Sequence, residues 1–405
     1  EKLDKADPSK PPPTVLKVPV KLVTDTMNAL ESMVLVPSTI TQPGWLCQTS
    51  IPPETILPVR NGLLSLPHAF RQSDSLLDAT PDFFSQRGGE FEFDPAAQCP
   101  TWLAFLDSLW PDDAESHELL SQWCGYCLTS SNRFQKLLMM IGPSRSGKGT
   151  IGRCLKALIG KENSTSPRLS SLAGTFGLAP LEGKSLALVE ECRISGRDDS
   201  TAIVETLLSI TGGDAQNIER KHQKTIAGVT LPIRFVLFTN EMPRLNDAST
   251  AIASRFLILR TYTSFKGRED YGLDEKISRE LPGILNWAIH GLHRLEEAGR
   301  FVQPASAQEA LDELTSLASP VGRFVAEACE LDPNVSIEKA DLFQKWKLWS
   351  ETKNLPQYSD SQFGQKLLAA APPVSSYRPR LEGGSRGQYY RGITCRLTRA
   401  DVPFP

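Results

Sequence analysis

The nine residues Gly142-Pro143-Ser144-Arg145-Ser146-Gly147-Lys148-Gly149-Thr150 follow the apolar run Leu137-Leu138-Met139-Met140-Ile141 and precede the helical pattern Ile151-Gly152-Arg153-Cys154-Leu155. Strand, glycine-rich loop and helix in this order commit the region to an α/β architecture, because the loop's N–H groups must converge at the positive end of the following helix. Such a loop cradles the β-phosphate of a nucleoside triphosphate, and a lysine in the place of Lys148 sets a point charge between the β- and γ-phosphates. A nucleoside triphosphate is therefore the expected ligand, held by Gly142, Ser144, Arg145, Ser146, Gly147, Lys148, Gly149 and Thr150. The usual pattern has Ser or Thr directly after the lysine, a place taken here by Gly149, so the Mg2+ hydroxyl is assigned to Thr150.

The chain has 405 residues, enough for two to three domains at roughly 100 to 200 residues each. Hydrophobic residues at 40% and charged residues at 22% exclude a fibrous or wholly disordered protein. A net charge of −3 leaves no global positive field, so nucleic-acid binding must come from local basic patches. No apolar stretch is long enough for a membrane span, and the start EKLDKADPSK has no signal-peptide pattern, so a cytoplasmic location without membrane contact is expected. The chain lacks an initiator Met and reads as a piece of a longer polypeptide. Of eight cysteines only Cys124 and Cys127 form a CxxC, and their helical context points to packed thiols ahead of a zinc or redox site.

Residues 1–18 read as a proline-rich tail or linker, and 19–95 as a small mixed α/β domain of short strands and turns. Residues 96–134 read as two helices forming a collar, 135–263 as the α/β core, 264–318 as a helical extension with a stop at Gly299, and 319–405 as helices followed by a β-hairpin.

Within the core, the strand Leu186-Ala187-Leu188-Val189 ends in Glu190 and Glu191. Beside a phosphate loop the first carboxylate can hold Mg2+ through water, and the second can orient and deprotonate attacking water. The strand Ile233 to Phe238 runs into Thr239-Asn240, a polar tip suited to sensing a γ-phosphate. Arg255 precedes a further apolar strand and can reach a neighbouring subunit's γ-phosphate; Arg244 and Arg260 compete for that role. Between the acidic pair and Asn240, the cation-dense run containing Lys221, His222 and Lys224 suits a hairpin tip that tracks DNA phosphates, or a solvated loop.

This ordered set (GPSRSGKGT, LALVEE, ITGGDAQNIERKHQK, VLFTNEMPRLNDAS, ASRF) resembles superfamily 3 helicases, particularly the phage and plasmid primase-helicase group, and the likeness extends over roughly residues 55 to 400. The resemblance implies an AAA+ P-loop ATPase core, a helical collar before it and a C-terminal winged helix. It also implies a hexameric homo-oligomer and 3′-to-5′ translocation on single-stranded DNA. By that likeness Lys148 and Thr150 belong to the first motif, Glu190 and Glu191 to the second, Lys221 to Lys224 to the DNA hairpin, Asn240 to the sensor and Arg255 to the finger. Group members often carry an upstream primase-polymerase domain; no paired-acid primase motif stands in the first 95 residues, so this chain is not expected to make primers alone.

The segment Ser376 to Arg399 interleaves Arg378, Arg380, Arg386, Arg391, Arg396 and Arg399 with Tyr377, Tyr389 and Tyr390, which suits duplex or forked DNA; the tyrosines could stack on bases or simply pack. His290, His293 and Glu296 share a helical face and read as surface or packing residues ahead of a metal site. The expected function is an ATP-driven ring helicase of phage, plasmid or mobile-element replication. The competing readings are an origin-binding initiation factor without sustained unwinding and a P-loop kinase.

Overall fold

The computed structural model describes residues 18–36, 40, 42–69, 75–85, 88–190, 192, 200–243, 251–353, 355, 357–379 and 387–397. The first element departs from the short strands expected there. Val20–Met33 is a helix, α1, whose apolar residues at 20, 23, 27 and 30 follow a helical repeat. None of its residues is buried.

A small antiparallel sheet follows, β1 (Ile56–Val59), β2 (Gly62–Ser65) and β3 (Leu76–Leu77), with Val59 opposite Gly62 across the turn. Asn61 ties this turn to Phe93, its amide donating to the Phe93 carbonyl and its Oδ1 accepting from the Phe93 N–H, both at 2.9 Å. Then come helices α2 (Pro100–Leu109) and α3 (Ala114–Leu128). Pro100 opens α2 where no N–H is needed, and two of its free N–H groups, on Thr101 and Trp102, donate to the Glu280 carboxylate at 3.0 Å each. Asp113 caps α3 by accepting from Ser116 N–H at 3.0 Å.

The central layer contains β4 (Leu137–Ile141), α4 (Lys148–Ile159), β5 (Ser164–Thr165), β6 (Leu186–Val189), α5 (Ser200–Gly212), β7 (Gln216–Ile218), β8 (Ile226–Val229), β9 (Arg234–Thr239), α6 (Ala251–Arg255) and β10 (Phe256–Arg260). Five of these strands make one parallel sheet in the order β10-β4-β9-β6-β5, while β7 and β8 pair separately as an antiparallel hairpin. The four longer strands are almost wholly apolar because helices cover both faces of the sheet. Their side chains alternate: Leu138, Met140, Val236 and Phe238 enter one core with α2, α3, α4 and α8 (Leu281–Ala298), whereas Leu137, Met139, Phe235 and Leu237 enter another with α5 and α9 (Gln308–Ala318).

Before α8 lies α7 (Leu273–Arg279), and Pro282 at the start of α8 breaks what the sequence suggests is one continuous helical pattern. Gly299, at φ 66°, ends α8 in the left-handed conformation. Helices α3 and α8 pack so closely that a Cβ on Gly125 would overlap the Ala288 carbonyl, and one on Gly291 would overlap Ser121.

The last part has its own core around Phe324, Trp346 and Phe363. Its elements are α10 (Pro320–Ala328), β11 (Cys329–Glu330), β12 (Ser336–Glu338), α11 (Lys339–Thr352), α12 (Asp360–Ala370), β13 (Ser375–Tyr377), β14 (Tyr389–Arg391) and β15 (Thr394–Cys395). The strands β12-β14-β13 form an antiparallel sheet, and β11 pairs with β15. No helix among the described residues is long and apolar enough to cross a membrane.

Candidate nucleotide site and the surfaces around it

Register decides which residues meet. Ile141 at the end of β4 lies level with Thr239 of β9 and Arg260 of β10, so Gly142, Asn240 and Thr261 leave the sheet side by side at its carboxyl edge. In α/β sheets ligands bind at this edge. The loop between β4 and α4 is anchored on all three strands. Gly142 N–H donates to the Thr239 carbonyl at 3.2 Å, Thr261 N–H donates to the Ile141 carbonyl at 2.8 Å, and the Thr261 hydroxyl donates to the buried Ser146 Oγ at 2.8 Å. A Cβ on Gly142 would overlap Thr261, so this position demands glycine. Arg145, at φ 61°, and Gly147, at φ 85°, take the left-handed turns that carry the chain into α4. The outer wall of the loop is held by residues after β10: Phe265 N–H donates to the Arg145 carbonyl and the Ser264 hydroxyl to the Ser144 carbonyl, each at 2.8 Å.

Lys148, the first residue of α4, folds back over this loop. Its ammonium donates to the carbonyls of Gly142 at 2.6 Å and Pro143 at 2.8 Å, to Ser146 Oγ at 3.3 Å and to Asn240 Oδ1 at 3.2 Å. Burial holds the ammonium below the ordinary lysine value. Gly149 follows at an exposed position on the first turn of α4. Thr150 comes next, its hydroxyl accepting from Arg153 Nη2 at 3.0 Å; Arg153 is paired in turn with Asp274 of α7 at 2.8 Å.

The remaining sequence candidates stand apart from this cluster. Val189 is level with Leu237, so Glu190 leaves the sheet beside Phe238, below the level of Asn240. Its carboxylate pairs with Lys156 Nζ at 2.9 Å, two turns along α4 from Lys148. Glu191, Arg244 and Arg386 lie outside the described residues. Arg255 turns inward within its own chain, Nη1 donating to Thr211 Oγ1 at 3.0 Å and to the Leu208 carbonyl, where a cation meets the negative end of α5. A cavity of ≈ 650 Å³, lined by Phe134, Lys136, Ser254, Phe256 and Arg300 among others, opens at the opposite end of β4 and β10, away from the phosphate loop.

Lys221, His222 and Lys224 are exposed at the tip of the β7–β8 hairpin, with His222 at φ 59° turning the chain. Arg220 supports the tip from below, donating to the Lys224 carbonyl at 3.2 Å and facing Glu182 at 3.8 Å. Arg391 is exposed on β14, its guanidinium 4.8 Å from the Tyr377 ring centre, and Tyr377 packs on Tyr389. Cys124 is buried within α3, and burial raises its thiol well above the ordinary value. The residues that sequence reasoning missed are Thr261, Arg153, Asp274 and Lys156. No local motif marks them, because each is recruited through tertiary pairing.

A family described as one of unknown function, DUF5906, matches residues 140–255, from the end of β4 to Arg255. An uncharacterized mitochondrial protein, ymf21 of Marchantia polymorpha, is 27% identical over 90 residues, which is 22% of this chain and 50% of that protein; the chain thus spans about half the length of this curated relative. Among solved structures, the chain is similar to the apo NrS-1 C-terminal region (its residues 305–718), with TM-score 0.48, 14% identity, and coverage of 78% of this chain and 84% of that one. The A-form apo structure of the same region gives TM-score 0.43 at 17% identity over 71% and 67% of the two chains.

Proposed function

We propose that this chain is the ATP-hydrolysing subunit of a superfamily 3 type DNA helicase, built on an AAA+ core and acting as a ring, hexameric by resemblance, on single-stranded and forked DNA in replication. The observation that carries the proposal is the convergence of Lys148 and Asn240 across neighbouring parallel strands at the carboxyl edge of the sheet. A lysine heading a helix and an amide on the next strand tip form a pair that a γ-phosphate can bridge. The strand order also supports it. In chain order the sheet runs 5-1-4-3-2, so the phosphate-loop strand stands between the strand tipped by Asn240 and the strand preceded by Arg255.

In this mechanism backbone N–H groups of residues 142–147 and the amino end of α4 bind the phosphates, with Lys148 as their counter-charge. Thr150 and Glu190 offer the hard oxygen donors that Mg2+ prefers and would hold it, in competition with Arg153 and Lys156; when bound it would neutralise phosphate charge. Glu191 acts as the base that takes the proton from attacking water. Arg255 leaves the end of α5 to reach a neighbouring subunit's site, which makes turnover depend on assembly. The cationic tip of Lys221, His222 and Lys224 follows the DNA backbone. The C-terminal helices and sheet act as a winged helix whose Arg386 and Arg391 contact the fork. The site of action is the cytoplasm, with an upstream primase-polymerase domain or another replication protein as partner.

ATP hydrolysis measured with and without single-stranded DNA tests this directly. Stimulation by DNA, together with strand displacement on a forked duplex, is the expected result. Hydrolysis indifferent to DNA, with phosphoryl transfer to a small hydroxyl acceptor, would establish a kinase instead. DNA binding and hydrolysis without displacement would establish an initiation factor.

A further inference from the structure

Cys329 and Cys395 face each other across the antiparallel pair β11–β15. The neighbouring pair is joined by Arg396 N–H donating to the Ala328 carbonyl at 2.7 Å. Hydrogen-bonded and non-hydrogen-bonded pairs alternate along an antiparallel ladder, so Cys329 and Cys395 occupy a non-hydrogen-bonded pair. In that class the Cα atoms lie about 4.5 Å apart with side chains at their closest, within the span a disulfide bridges. Cys329 is buried, and Cys395 is partly open to solvent. Around them stand Lys345 and Asp341 of α11, paired at 3.2 Å, and Arg396.

We propose that Cys329 and Cys395 form a reactive dithiol that exchanges with low-molecular-weight disulfides, with Cys395 attacking and Cys329 resolving. The Cys395 thiolate attacks one sulfur of the small disulfide, forming a mixed disulfide and expelling one thiolate. Cys329 then gives up its proton to solvent and attacks the Cys395 sulfur, forming the intrachain bond and expelling the second thiolate. The protein loses two hydrogens, and the small disulfide becomes two thiols.

The electrostatics favour this direction of attack. The hydrogen bond from Cys329 outweighs partial burial and, aided by the Leu397 N–H and Lys345, lowers the Cys395 thiol to about 7, whereas the same hydrogen bond and burial raise Cys329. Most other cysteines are sealed off. Cys99, Cys124, Cys154 and Cys192 are buried with thiols raised chiefly by burial, and Cys127 is buried as well, which leaves the exposed Cys47 as the internal reference. The bond would join the strand after α10 to the last described strand and so close the C-terminal core on itself.

The test is to incubate the intact chain with oxidised glutathione near pH 7, block remaining thiols, and map the peptides by mass spectrometry. A peptide linking Cys329 to Cys395, with two fewer blockable thiols, is the expected product. In Cys329→Ser the glutathione adduct should persist on Cys395. A stable Cys395 adduct in the wild-type chain without the link would overturn the resolving role. Modification confined to Cys47 would overturn the site altogether. Both outcomes are read on the unmutated chain and are independent of any nucleotide or DNA activity.

Discussion

The Nζ of Lys148 lies 3.2 Å from Oδ1 of Asn240, joining the first residue of a helix to the tip of a strand two crossovers later in the chain. Lys148→Ala should therefore remove the counter-charge for the phosphates and abolish measurable nucleotide binding. Asn240→Ala should leave ATP affinity nearly unchanged and lower turnover by roughly 100-fold, the effect of deleting one donor aimed at developing charge. Equilibrium titration beside steady-state hydrolysis separates the two; equal loss of affinity in both variants would remove Asn240 from the chemistry.

The contact that Arg255 makes within its chain and the role proposed for it are separable. Its contact with the end of α5 should make Arg255→Ala cost about 0.5–1 kcal/mol, read as a denaturant midpoint. Its proposed action on a neighbour should cost on the order of 10³-fold in turnover, and mixing with wild-type subunits should poison them. Unchanged hydrolysis per wild-type subunit in the mixture would leave only the structural role.

At the hairpin tip Lys221 and Lys224 carry charge with no fold to support. The double substitution to Ala should leave the melting temperature unchanged. It should reduce the salt slope of single-stranded DNA binding by about 0.7 for each phosphate that the tip no longer neutralises. An unaltered slope would make the tip a plain solvated loop.

Acid stability should report on Asp113. Burial raises its carboxyl, but hydrogen bonds from Ser306 and Ser116, with the charge of His117, outweigh it and leave the group below the usual value. A depressed folded value means the stabilisation is complete above the unfolded value, about 4, and is lost as pH falls through the folded one. Asp113→Asn should therefore weaken the chain at neutral pH and flatten its stability profile below about pH 4. A profile as steep as wild type would assign the acid transition to other carboxylates.

Gly291→Ala should destabilise by about 2 kcal/mol or more, since the added methyl meets the backbone of α3, which has no room to move. Gly272→Ala, where the space is open to 3.4 Å, should fall within about 0.5 kcal/mol of wild type. Thermal unfolding of both variants checks the contrast.

Much of the candidate nucleotide site is legible in the sequence because Gly142 to Thr150 is a contiguous motif whose glycines set the path of the backbone. The four apolar strands are legible for a similar reason: burial on both faces leaves no polar period. Thr261 is not, since its meeting with Ser146 depends on which strands become neighbours, a matter of long-range pairing. Glu280 caps α2 from a distant part of the chain, and the local sequence around Pro100 gives no hint of that partner. In α1 the interruptions by Lys21, Thr24 and Asp25 mask a helical repeat that becomes clear only when the whole span is counted.

The contact of Gly125 with Ala288 also sets a timetable. A ribosome adding roughly 5 to 20 residues per second needs about 8 to 33 seconds to pass from one to the other. Throughout that interval α3, the phosphate loop and most of the parallel sheet emerge without the helix that seals one of their two faces. The newborn chain therefore carries an open apolar surface throughout that interval, and the speed of translation between these two residues governs how long it stays vulnerable to wrong partners.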